Sequence, residues 1–490
     1  MIVTNRLKNQ HLLWRAAFGP MAENAASLDS ISTTKLWQLL LKSSAEAPQK
    51  FQVSSGLGDG LYKGLMDAAA MKDDNQKKQM QKQRRAQSRD ELKNLNVLWL
   101  DDMINSKAQL REKMGLFWHG HFACRVVNSY FQQELLQTVR ENALGNFGEL
   151  LVAVSKSPSM LQFLNNQQNK KQHPNENFAR EVMELFTIGR GNYTESDIKE
   201  AARAFTGWSY NQQGEFVFRK FNHDSGTKTF MGKTGNFTGD DILNILLQQK
   251  GTATFITRKL YRYLVNEKDL TPKDEAHIAT LAAGFYKDNY DIKSLLTSIF
   301  TSDWFYNPEY IGTKIKSPIE LLAGIRRFLP MELDNDNAQL LFQKVLGQIL
   351  FYPPNVAGWP GGKNWIDSST LMVRLQIPQV LAAKESLTIK PKNDDDMNMG
   401  QVMEQQVKLN RNKMYTQRGG SADIAWAPVY KVFEKVHRDK LLNEISGTLL
   451  QAESRLPDAV MMRYLADGSR EDFIKSAVIQ YMSTPEYQLC

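Results

Sequence analysis

Apolar residues recur every three or four positions along most of this chain, and Gly and Pro interrupt the pattern before any run grows long. That spacing is the period of an α-helix with one buried face. Leu36, Leu39 and Leu40 show it behind a Ser/Thr-rich cap signal. Phe178, Val182 and Leu185 repeat it, as do Ile198, Ala201, Ala202 and Phe205. No stretch approaches the roughly 18 consecutive apolar residues that a membrane helix needs. The expected fold is therefore mainly α, a multi-helix globular protein. With 490 residues, 42% of them hydrophobic and nine of them Trp, the chain can fill a substantial core.

Short helices with loops are expected over 1–70, a strongly helical stretch from 90 to about 125, and further helices over 126–144, 147–157 and onward from Ser157-Pro158. His173-Pro174-Asn175 marks a break. A helix over 177–188 follows, stopped by Gly189 and Gly191. Thr194 with Asp197 three residues on resembles a capping box and opens a helix ending at Gly207. Residues 209–240 are rich in Gly, Phe, Thr and Asn, and predict a short β-hairpin or irregular excursion. Helices resume over 240–263, 273–287, 291–301 and 317–328. The long loop 351–365 (FYPPNVAGWPGGKNW) holds too much Pro and Gly to be helical. The resulting organisation is a main helical domain over 1–385, a polar insertion or linker over 386–420, and a C-terminal helical segment over 421–490 packing on the main domain.

The net charge is +8, and residues 72–89 alone contribute +5 of it. The basicity is one local run, expected as a polar connector or exposed helix. It has no aromatic residue on which a base could stack, so nucleic-acid binding is not expected. Two cysteines, Cys124 and Cys490, exclude a disulfide framework or a cysteine zinc cluster. The first 20 residues lack the apolar core of a secretory signal. The cytoplasm is the expected compartment, and the periplasm, by co-export with a partner, is the alternative.

Polar chemistry concentrates between about 117 and 230. His119 and His121 form a His-x-His pair, a familiar metal-ligand pattern. On a helix, however, residues two apart point about 200° apart, so both could face one ion only if Gly120 ended the helix. Glu181 sits at the edge of the apolar face of the 177–188 helix, where a carboxylate needs a partner or a cation. Arg180 and Glu184 are spaced for an ion pair, and Arg203 follows nearby. His223, Asp224 and Lys228 share a Gly-containing loop that reads equally as a polar site or a structural turn. Trp359 and Trp365 are either sugar-stacking platforms or aromatic core plugs. Nucleophile-elbow, phosphate-loop, dinucleotide and HEXXH signatures are absent.

HLLWRAAFGP at 11–20, REKMGLFWHGHF at 111–122, NENFAREVMELFTIGRGNYTESDIKEAARAFTGW at 175–208, HDSGTKTFMGKTGNFTGDDI at 223–242, IKSPIELLAG at 315–324 and PPNVAGWPGGKNWI at 353–366 together resemble the bacterial domain of unknown function 1800 family. The resemblance covers nearly the whole chain. Many members carry His where this chain has Phe186, so a ligand role there cannot apply here. Members are often encoded beside sulfatase-like proteins of the domain of unknown function 1501 family, and that association implies a candidate partner.

Two functions are expected from these features. The first is a metal-assisted hydrolase acting on a polar or anionic substrate, carbohydrate or phosphorylated. It would hold a divalent metal ion at His119 and His121 and draw its acid–base groups from Glu181, Glu184, His223 and Asp224. Arg180, Arg203, Lys228, Trp359 and Trp365 would bind the substrate. The second is a non-catalytic partner or maturation factor of a sulfatase-like protein.

Overall fold

Helix-capping chemistry sets most of the element boundaries. The computed structural model describes residues 2–54, 73–383 and 422–490. The linker expected over 386–420 lies outside the described residues. The chain opens with α1 (Asn5–Ala16) and α2 (Thr33–Ser43), capped by Thr4 and Ser32. The single stretch expected from 90 to about 125 is two helices, α3 (Asp74–Asn105) and α4 (Gln109–His121). They part at Ser106, whose backbone is extended and whose hydroxyl accepts from the Ala108 amide. The basic run, from Asp73 on, is the exposed first half of α3. The second half of that helix buries Leu92, Leu95, Trp99, Leu100 and Met103.

Next come α5 (Ser129–Asn142), α6 (Phe147–Lys156) and α7 (Asn177–Glu181), which runs straight into a π-helical turn, Val182–Thr187. The capping box of Thr194 and Asp197 opens α8 (Glu195–Ala204), as its sequence signals. Two antiparallel ribbons fill the expected excursion: β1 (Trp208–Tyr210) with β2 (Phe216–Phe218), and β3 (Lys228–Phe230) with β4 (Lys233–Gly235). Then follow α9 (Gly239–Leu247), α10 (Lys250–Leu264), α11 (Pro272–Lys287), α12 (Ile292–Phe300) and α13 (Pro318–Phe328). After β5 (Met331–Leu333) come α14 (Asn337–Leu346) and α15 (Ser368–Ala383). β6 (Ala422–Ile424) pairs antiparallel with β5 and leads to α16 (Ala427–Phe433), α17 (Leu441–Leu449) and α18 (Arg470–Met482).

One apolar core joins α1 and α2 to residues of α4 through α12. A second joins α13, α14 and α15 to α16, α17 and α18, so residues 422–490 share a core with 321–381. Between them lies a buried knot of charge. Glu320, in the first turn of α13, is fully buried and takes part in the Ser317 capping box. Its carboxylate pairs with Lys113 of α4 and accepts from Lys314 Nζ at 2.8 and 3.0 Å and from the Ser317 amide at 2.7 Å. Lys113 Nζ also donates to Trp14 O of α1 at 3.0 Å. Burial pushes the Glu320 carboxyl up, but the charges and hydrogen bonds of the two lysines outweigh it and hold the group far below the ordinary range.

Replacing Glu320 by Ala leaves two buried ammonium groups without their counter-charge. The expected cost is about 3–5 kcal/mol, read from the urea midpoint. Because its folded pKa is lowered, the contribution of Glu320 is complete above an unfolded value of about 4.3 and is lost as pH falls further. An E320A protein with the wild-type midpoint at neutral pH would refute this account of the knot.

Candidate functional site

The last turn of α4 carries His119 and His121 into different surroundings. His119 is buried, and its Nε2 accepts from the Phe351 amide at 3.1 Å. Its ring lies edge-on to Trp99 and Phe351 and 5.6 Å from Trp359. Burial lowers its pKa to about 3, so it is a neutral core histidine. His121 is also buried, with Nε2 3.2 Å from Phe186 O and Nδ1 3.2 Å from Lys259 Nζ. An ammonium only donates, so Nδ1 accepts and Nε2–H donates to the carbonyl. Burial, then the Lys259 charge, hold His121 well below the usual imidazole range.

The π-turn explains why these groups meet. Carbonyls near a helix C-terminus lack intrahelical partners and need outside donors. Thr187 Oγ1 donates to Val182 O at 2.7 Å, His121 serves Phe186 O, and Lys259 Nζ donates to Leu185 O at 3.1 Å. Burial lowers the Lys259 pKa to about 8. A cation at a helix C-terminus also complements the helix dipole.

On the same segment, Glu184 accepts from Tyr193 Oη at 2.5 Å and Arg190 Nε at 2.7 Å, with Arg180 at 3.7 Å. Burial raises its carboxyl, but these hydrogen bonds and charges outweigh it and leave the group below its ordinary value. Arg180 pairs more closely with Glu195 of α8, at 3.0 Å. Glu181 is different. It is half-buried, and burial followed by the Glu184 charge raises its pKa. Among the described residues no hydrogen bond reaches it.

The third group ties the excursion to α8. Arg203 donates to Asp224 through Nε at 2.7 Å and to both Glu200 oxygens at 2.9 Å. Its hydrogen bonds, ahead of opposing burial, hold Asp224 below the carboxylate range. Lys228 is buried and donates to Asp224 O and Gly226 O at 2.6 and 3.0 Å. His223 Nδ1 donates to Thr206 O at 2.9 Å, and burial lowers its pKa. Glu200 and Asp197 accept from the Thr229 and Met231 amides of the second ribbon. Of the two readings of this loop, the geometry is that of a structural turn.

The 351–365 loop folds over the end of α4. Gly358 lies so close to Gly120 that an added Cβ would stand 2.4 Å from its carbonyl oxygen, and its φ of +80° also requires glycine. Trp359 is half-buried on His119, while Trp365 is buried and offers no open face for a sugar.

The structure thus does not bring the eleven expected residues into one hollow. His119 faces the 351–365 loop, His121 faces the π-turn, and His223 and Asp224 belong to the ribbon ties. Among the described residues no three His, Cys, Asp or Glu side chains gather where a metal ion could be held. The expected divalent ion therefore has no common ligand set in His119, His121, Glu181, Glu184, His223 and Asp224. Sequence reading passed over Lys259, Lys113, Lys314 and Glu320. The signals for the buried pairs are that Arg111, Glu112 and Lys113 sit consecutively before an apolar helical face and that Glu320 stands three residues after Ser317, as in a capping box.

Fold and ties together define a mainly α multi-helix protein with small two-stranded ribbons. The family model described as "Protein of unknown function (DUF1800)" matches residues 11–489, and the chain belongs to that family. No curated protein and no solved structure matches it.

His119→Leu removes the acceptor of a buried amide and is expected to cost about 1–3 kcal/mol, measurable by thermal denaturation. With a folded pKa of about 3, against about 6.5 unfolded, His119 leaves stability intact above pH 6.5 and erodes it as pH falls toward 3. The decline should be shallower in H119L. An identical pH profile would show that His119 is not the buried neutral group described.

Proposed function

We propose that this protein acts as a non-catalytic partner or maturation factor, and that a sulfatase-like protein of the kind the family resemblance implies is the candidate it serves. One observation carries the reading: Arg180, Glu184, Arg203, His223, Asp224 and Lys228 are occupied by ties among α7, the π-turn, α8 and the ribbons. Groups held this way rigidify a surface and leave little to offer a reacting substrate. A docking face is available on the first half of α3, where Lys78, Lys82 and Arg85 are exposed. Such a face suits an acidic surface and speeds encounter at low salt.

Co-expression with the sulfatase-like neighbour should give a complex that co-migrates in size-exclusion chromatography. The triple substitution Lys78→Glu, Lys82→Glu, Arg85→Glu should weaken it, and added salt should do the same. Separate elution of the two proteins at low salt would end this reading.

Glu181 supports a second reading, proton transfer in a hydrolytic reaction. Its pKa is raised while that of Glu184, three residues on, is lowered, and such a split between neighbouring carboxyls suits an acid–base pair. Purified protein would be assayed on nitrophenyl phosphates and nitrophenyl glycosides. Turnover that disappears in Glu181→Gln, with unfolding unchanged, is the expected result. Turnover that survives the substitution, or none from the wild type, rejects it.

A further inference from the structure

The C-terminal end of α13 and the β5–β6 ribbon enclose a cleft of about 470 Å³, with Arg326, Arg327, Glu332 and Asp423 in its lining. Small-ligand pockets span roughly 300–1,000 Å³. Neither functional reading above involves this cleft.

Arg327 gives the first reason to expect a ligand. Its side chain is 5% exposed. Nε donates to Gly19 O at 2.9 Å and Nη1 to Ile104 O at 2.6 Å. Both acceptors are neutral. Among the described residues no carboxylate pairs with Arg327 and no hydrogen bond takes up its Nη2. A buried guanidinium without a counter-charge is costly. Burial alone acts on its ionisation, and lowers its pKa to about 10. Beside it, Arg326 Nη1 is held by Asp101 and Gln339 at 2.8 Å each, while its buried Nε has no partner. Of the two neighbouring guanidinium groups, it is Arg327 that keeps a donor, Nη2, for a ligand.

The ribbon gives a second, independent reason. Its register sets Glu332 directly opposite Asp423. Like charges directly opposite weaken a strand pair. Both side chains are exposed, and neither has an ion-pair partner among the described residues. A cation held between them would turn that repulsion into attraction.

We propose that this cleft binds a small zwitterion, with a carboxylate against Arg327 and an ammonium group against Glu332 and Asp423. The ligand class is a free amino acid or short peptide. The separation of charge decides between this class and a simple anion. Arginines alone would take phosphate or a carboxylate equally, whereas the acidic rim repels any anion lacking a cationic end.

Calorimetric titration of the full chain tests the proposal, with glycylglycine as the probe and acetate, inorganic phosphate and ethylammonium as one-ended controls. Glycylglycine should bind more tightly than any control. The rim variant Glu332→Gln/Asp423→Asn, whose side chains are exposed, should weaken glycylglycine at least about tenfold and leave phosphate binding no weaker. Arg327→Lys should weaken glycylglycine by a similar factor, with unfolding midpoints confirming that both variants fold. Phosphate or acetate binding as tightly as glycylglycine would overturn the proposal. So would glycylglycine binding unchanged in the rim variant, or no heat from glycylglycine at millimolar concentration.

Discussion

A carboxylate with no access to water, Glu320, can exist only because two lysines stand against it. The dependence is mutual: Lys113 and Lys314 are buried too, and Glu320 is the carboxylate that pairs with both. The knot lies where the two apolar cores meet, with Leu110 and Met114 in one and Leu321 and Leu322 in the other. Apolar packing is non-directional, whereas a hydrogen-bonded ion pair adds a directional constraint that tolerates one register. The knot thus fixes how α13 sits against α4 and α1, whatever its net energy. Next to it, Lys316 Nζ lies 3.7 Å from the ring centroids of both Trp14 and Tyr487 and donates to Tyr487 O. That clamp draws residues near 487 onto α1.

The same logic explains the polar segment between 117 and 230. The ribbons of the excursion are three residues to a strand and cannot hold themselves in place. α8 holds the second of them, β3–β4, through Asp197 and Glu200, and the loop before it through Arg203. A dense set of ionisable residues is what anchoring such short strands requires, which is why this region looks like an active site when read as letters.

Local features were legible in the sequence. Periodicity showed the helical class, Thr194 and Asp197 marked the start of α8, and a change of composition marked the ribbons. The division between α3 and α4 was not legible, because it hangs on one residue, Ser106, with its extended backbone and its hydroxyl on the Ala108 amide. Nor was the β5–β6 pairing, which joins three-residue strands some ninety residues apart in sequence. The ties among the candidate residues were not legible for a related reason. Spacing shows which groups can ionise, and only the fold shows which are already satisfied. Arg180 and Glu184 have ideal helical spacing, yet Arg180 sits nearer Glu195 at 3.0 Å than Glu184 at 3.7 Å.

The widened turn at Val182–Thr187 gives position 186 a meaning of its own. Here Phe186 stands with its ring centroid 6.0 Å from that of His121, and it is sealed inside the core. A histidine put at that place would set two imidazoles side by side near the Lys259 amine. A greasy stopper would be exchanged for a chain of groups able to pass protons along. In this chain the charge beside His121 is that of Lys259, whose burial lowers its pKa to about 8.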